Sequence, residues 1–193
     1  MMLIAAATAA TLLGRMEAVN PTLHAFSATL NAHVVMRSFP FLTADLAGTY
    51  YYQEPDRNRV VFTSGVPLVA QQFDKLYAHI ESPKKWNELY DVALVSDDGK
   101  TALLKLVPHK RGTVEEIDAS VDDKNATVTS MRWNYNNGGY AEMTNRYGRV
   151  DGNFVVEAQT GHVQEPGYAA DITSTIGGYK INPTLPDSIF ENQ

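Results

Sequence analysis

The 193 residues predict an α+β fold in which a curved antiparallel sheet or open barrel is packed on helices. Three observations carry this expectation. Residues 44–62 read as an aromatic-rich hairpin with no helix between its strands. Residues 66–80 switch to a helical period. From residue 90 onward, short alternating runs are separated by strong turn signals.

Taken in order, residues 2–13 (MLIAAATAATLL) are alanine-rich and apolar. They invite two readings: the trimmed remnant of an export signal, or a first helix. A signal peptide carries a basic leader, and no Lys or Arg precedes Arg15. The run is also too short to span a bilayer. Leu12, Met16, Val19 and Leu23 continue a helix-like spacing beyond it, which favours the helix, with an end near Asn20-Pro21. A first strand is expected over 23–36, where Phe26, Ala28, Leu30, Ala32 and Val34 alternate with polar residues.

In the hairpin, Ala44, Leu46, Gly48, Tyr50 and Tyr52 share one side of the first strand. Glu54-Pro55-Asp56 breaks it, and Val60 and Phe62 face the same way from a second strand starting near Arg59. Beyond Pro67, Val69, Phe73, Leu76, Tyr77 and Ile80 fall on one face of an amphipathic helix, placed to cover the sheet. A break at Ser82-Pro83 precedes a short segment with Trp86, Leu89 and Tyr90. Strands are then expected at 90–95, 101–107, 114–121, 126–135, 140–147, 153–158 and 169–181, the last kinked at Gly177-Gly178. Residues 183–190 close the chain as a loop with one helical turn. With no repeat, linker or low-complexity segment, 1–193 reads as a single domain.

Composition narrows the function. The formal charge of −6 and the lack of any dense basic run argue against nucleic acid as a partner. The absence of cysteine rules out disulfides, thiolate metal sites and thiol nucleophiles. The five histidines show no metal-ligand spacing, and no nucleophile elbow, phosphate loop or dinucleotide fingerprint occurs, so neither a cofactor nor an enzyme is expected. Asp97-Asp98 and Asp122-Asp123 sit in hairpin turns, while Glu115 and Glu116 point to opposite faces of a strand. What stands out is the inward inventory, which adds Leu104, Leu106, Ile117, Val121, Met131, Trp133 and Met143 to the hairpin residues. It describes either an ordinary core or a concave cavity for a hydrophobic ligand.

The order of elements resembles the outer-membrane lipoprotein carrier (LolA-like) superfamily. The likeness rests on Gly48-Thr49-Tyr50-Tyr51-Tyr52 running to Pro55, which fits the family's glycine–aromatic–proline hairpin. It rests also on the closing Asn182 … Pro186-Asp187-Ser188-Ile189-Phe190. The resemblance implies an unclosed half-barrel whose concave face is lidded by helices, a periplasmic location, and lipid or lipoprotein acyl chains as cargo, exchanged with a membrane or protein donor and acceptor. On that reading the ligand-binding residues are Phe26, Leu30, Leu46, Tyr50, Tyr52, Val60, Phe62, Val69, Phe73, Leu76, Tyr77 and Trp133, with Asp74, Lys75 and Lys84 at the mouth. Two departures separate the chain from the dedicated lipoprotein carriers. Glu54 stands where those carriers have an arginine before the hairpin proline, and the helical 67–80 segment replaces a tryptophan-bearing strand. A broader hydrophobic-ligand carrier is the expectation. The rival is a regulatory or scaffolding module that binds a protein partner in the same groove.

Overall fold

The structure, a computed structural model, describes residues 8–39, 41–63 and 82–191. The expected helix begins at Thr8, whose hydroxyl accepts the Thr11 N–H (3.2 Å) and so satisfies one of the amides a helix start leaves open. This helix, α1, runs Ala9–Glu17 and stops three residues before Asn20. It buries Leu12, Leu13 and Met16. Asn20 instead clamps the following chain to the sheet: its Nδ2 donates to the Phe154 carbonyl and its Oδ1 accepts the Phe154 N–H, both at 2.9 Å.

Ten strands follow: β1 (Ala25–Met36), β2 (Thr43–Gln53), β3 (Arg57–Phe62), β4 (Tyr90–Asp97), β5 (Thr101–Pro108), β6 (Val114–Asp122), β7 (Thr127–Tyr135), β8 (Tyr140–Val150), β9 (Asn153–Glu165) and β10 (Tyr168–Ile181). A single 3₁₀ turn, Pro83–Lys85, and a one-turn helix α2, Trp86–Leu89, precede β4. A second 3₁₀ turn, Asp187–Ile189, supplies the helical turn expected near the C-terminus. Most expected boundaries hold to within two residues. The exceptions are β8, three residues longer, and β9, which continues seven residues past Ala158. The 67–80 helix lies outside the described residues.

All strands join one sheet in the order β3-β2-β1-β10-β9-β8-β7-β6-β5-β4, and every neighbouring pair is antiparallel. This order is the sequence order bent into a ring that fails to close. The first and last strands pair inside the sheet, and the edges β3 and β4 are the two strands joined by residues 63–89. The result is the curved, unclosed α+β half-barrel that the resemblance implied.

The core lies on one face. Leu30, Leu104, Leu106, Ile117 and Val121 are fully buried, each worth about 1.5–3 kcal/mol relative to exposure. α1 and Trp86 cover the β4–β7 end of this face. Ala32, Val34, Leu46, Val163 and Ile172 form a second cluster, and Ala28, Leu30, Val60 and Ile176 a third. The kink expected at Gly177-Gly178 is a register irregularity against β1, where Gly178 takes φ +62°.

Gly48 is the tightest point of the hairpin. A Cβ there would sit 2.6 Å from the Val61 carbonyl oxygen and 3.1 Å from the Phe62 Cα, both backbone atoms of the paired strand that cannot withdraw. Gly48→Ala is expected to cost about 1–3 kcal/mol, lowering Tm by roughly 2–12 °C in calorimetry. Gly112→Ala, where nothing lies within 4 Å, should leave Tm nearly unchanged.

Candidate functional site

A half-open cavity of about 280 Å³ lies on the concave face, at the end of the sheet where β1 begins. Its apolar walls come from α1 and the chain after it (Met16, Val19, Leu23), from the hairpin, and from Met131, Met143, Val156 and Ile176 across the sheet. Three predicted ligand-binding residues line it: Phe26, Tyr50 and Tyr52. They are cross-strand neighbours, with Phe26 opposite Tyr52 and Ala28 opposite Tyr50. The Phe26 ring meets Tyr50 edge-on at 5.2 Å, stacks on Tyr52 at 5.4 Å and touches Tyr179 at 5.3 Å. Such contacts add about 0.5–1.5 kcal/mol each beyond burial and hold one aromatic wall in place.

Leu30 and Val60 are buried in the cluster behind that wall. Leu46 belongs to the second cluster, which Phe62 and Trp133 flank, farther along the same face. None of these five lines the cavity. Val69, Phe73, Leu76 and Tyr77, like Asp74 and Lys75, lie outside the described residues.

The mouth is charged. Glu54, in the hairpin turn, accepts from Lys84 Nζ at 2.5 Å and pairs with His24 Nδ1 at 2.8 Å. Lys84 lines the cavity where it is held by Glu54. Lys85 pairs with Asp56 in the same turn. These bonds tether the 3₁₀ turn that follows residues 64–81 to the tip of the β2–β3 hairpin. Hydrogen bonds from His24 and then Lys84 hold the Glu54 carboxyl below its ordinary pKa.

The interior is less uniformly apolar than the sequence suggested. Tyr147 donates its hydroxyl to the Val128 carbonyl (3.0 Å), Tyr179 to that of Val156 (2.5 Å), and Tyr50 to Asn58 Oδ1 (2.9 Å). Burial pushes the Tyr147 phenol up to about 12 and raises that of Tyr179 further, so both are neutral donors at any physiological pH. Asn145 and Gln159 complete a polar patch that sequence reading missed. Asn145 keeps the alternation of Met143, and Gln159 lies just past Ala158, where the expected strand stopped; the β8–β9 register shifts at this point, Arg146 facing Ala158 but Tyr147 facing Val156. No group of three or more metal-ligating side chains occurs among the described residues.

No family model matches the chain, and no curated protein does. Solved structures do. A LolA superfamily protein from Nitrosomonas europaea has a TM-score of 0.69 at 13% identity, covering 97% of this chain and 99% of its own. A domain described as an outer membrane lipoprotein-sorting protein, from Vibrio parahaemolyticus, gives 0.71 at 9%, covering 93% and 94%. A DUF1329 family protein from Desulfovibrio piger gives 0.66 at 13%, covering 94% and 95%. At these identities the likeness is one of fold: this chain has the LolA-like fold.

Because folding favours the ionised form of Glu54, its pairing stabilises the protein above the ordinary carboxyl pKa, about 4.3, and the effect is lost as pH falls through the lowered value. The Tm difference between wild type and Glu54→Gln should therefore be full above about pH 5 and diminish steadily as pH falls below the ordinary carboxyl value. The side chains are partly exposed, so the difference should stay within about 1 kcal/mol and shrink in high salt.

Proposed function

We propose that this protein is a non-enzymatic carrier that holds the acyl chain of a lipid or lipoprotein in the concave-face cavity. The single observation that carries the reading is the cavity itself, which among the described residues is largely apolar, aromatic-walled and half-open. Each methylene moved from water into such a site contributes about 0.8 kcal/mol, so chains bind without a dedicated polar anchor. The named functions of the solved neighbours, LolA superfamily and lipoprotein sorting, agree with this. They support a periplasmic setting and one domain over 1–193. Phe26, Tyr50 and Tyr52 form the contact wall. Leu30 and Val60 back it, Leu46, Phe62 and Trp133 extend the apolar face along the sheet, and Val69, Phe73, Leu76 and Tyr77 complete the proposed ligand-binding set.

The test is native mass spectrometry of the purified protein with solvent extraction of any adduct, followed by displacement of a fluorescent acyl probe by 1-alkanols of increasing length. A lipid adduct is expected, with affinity rising about fourfold per added methylene until the cavity is filled. Val156→Trp, which projects a large ring from the cavity wall, should weaken every alkanol at least tenfold while circular dichroism stays native. A bare mass with no probe uptake, or a stoichiometric protein recovered in place of lipid, would overturn the carrier reading.

A further inference from the structure

One rung across the concave face is polar. Ser174 on β10 stands opposite Gln159 on β9, and Gln159 opposite Asn145 on β8. Gln159 lines the cavity and is only 8% exposed. Burying an amide is tolerated when its hydrogen bonds are made, and each one missing costs on the order of 1–3 kcal/mol.

The orientation of both amides follows from a carbonyl that can only accept. The Val128 carbonyl oxygen takes Asn145 Nδ2 at 3.0 Å and the Tyr147 hydroxyl at 3.0 Å. Asn145 must therefore turn its Oδ1 toward Gln159. That oxygen accepts Gln159 Nε2 at 2.9 Å, and Met143 Sδ lies 3.1 Å from the same nitrogen. Reversing either amide would set two acceptors, or two donors, against each other. So the Gln159 amide nitrogen is spent, while Oε1 is left over. Among the described residues Oε1 has no hydrogen-bond partner and presents no surface to water, in the cavity or outside it, so a donor reaches it only when the Gln159 side chain, which lines the cavity, turns. The nearby phenol donors of Tyr147, Tyr179 and Tyr50 are all spent as well. What this patch offers a newcomer is an acceptor.

We propose that the ligand carries a hydrogen-bond donor, a hydroxyl or an amide N–H, and that Gln159 Oε1 is the acceptor that selects for it. This rests on the carrier reading and adds a chemical requirement to it. The class it names is a neutral, hydroxyl- or amide-bearing amphiphile with its polar group taken into the cavity, rather than a bare hydrocarbon chain.

Two probes differing only in the donor decide the matter: 1-dodecanol and dodecyl methyl ether, each titrated against the fluorescent acyl probe. Wild type should bind the alcohol about tenfold more tightly than the ether, the discrimination one buried hydrogen bond provides. Gln159→Met, close in volume and without the acceptor, should remove that preference while retaining the ether. Equal binding of both probes by wild type would overturn the selection and leave the carrier standing, and that comparison needs no variant to fold. A preference unchanged in folded Gln159→Met would also overturn it, since the selecting group would then lie elsewhere. Binding of neither probe would overturn the carrier reading itself.

Discussion

The pairing of β1 with β10 is the constraint on which the rest depends. It brings the two ends of the sheet-forming chain together inside the sheet, and a side chain clips the join where β1 begins. Asn182, held at φ +50° just past β10, accepts the His24 and Ala25 N–H groups on its Oδ1 at 2.8 and 3.1 Å, and its Nδ2 donates to the Thr22 carbonyl at 2.7 Å. Asparagine suits the place because it tolerates the left-handed region and offers both a donor and an acceptor within reach of the backbone. With the ends joined inside the sheet, the remaining strands can only extend outward in two wings, and the sheet keeps two free edges.

Those edges explain why a cavity forms where it does. The connection from β3 to β4 must travel from one wing to the other, and its described part, the 3₁₀ turn and α2, is tied to the hairpin by Glu54–Lys84 and Asp56–Lys85. The C-terminal segment steadies the β3 edge of the same wing. Arg57 pairs with Asp187 at 2.6 Å and lies over the Phe190 ring, while Arg59 donates to the Ile189 carbonyl. The β2–β3 hairpin is thus fixed from outside by pairs that individually contribute little but set its position together. The space between the wings stays partly open. A closed barrel of ten strands would be filled by its own side chains or would need an end to open; a half-barrel can take an elongated ligand from the side.

The polar rung gives this open face its chemical character. Ser174, Gln159 and Asn145 replace apolar residues at one level of the sheet, while Met143 and Met131 beside them provide surfaces that adapt to irregular shapes. An acyl carrier lined only by hydrocarbon would grade ligands by length. One buried acceptor in the same wall adds a second criterion, independent of length, because an unmade hydrogen bond in a dry site is not compensated by water.

Much of the fold was legible because antiparallel strands and their turns are local. Period-two alternation, Gly and Asp turn chemistry and the helix-capping threonine act over a few residues, so strand count, order along the chain and inward residues such as Leu104, Ile117 and Trp133 could be read directly. Phe26, Tyr50 and Tyr52 were legible as one wall because β1 and β2 are neighbours in sequence. By itself, then, the sequence determined an antiparallel α+β sheet with one aromatic, apolar face. Tertiary structure alone decided which inward residues meet the cavity and which, like Leu30 and Leu46, are consumed in packing, since that depends on how ten strands curve. It also decided the Asn145–Gln159 patch, because the meeting of two side chains from separate strands is a property of neither strand alone. Alternation describes one strand at a time, whereas an orphaned acceptor is defined only by every group that surrounds it.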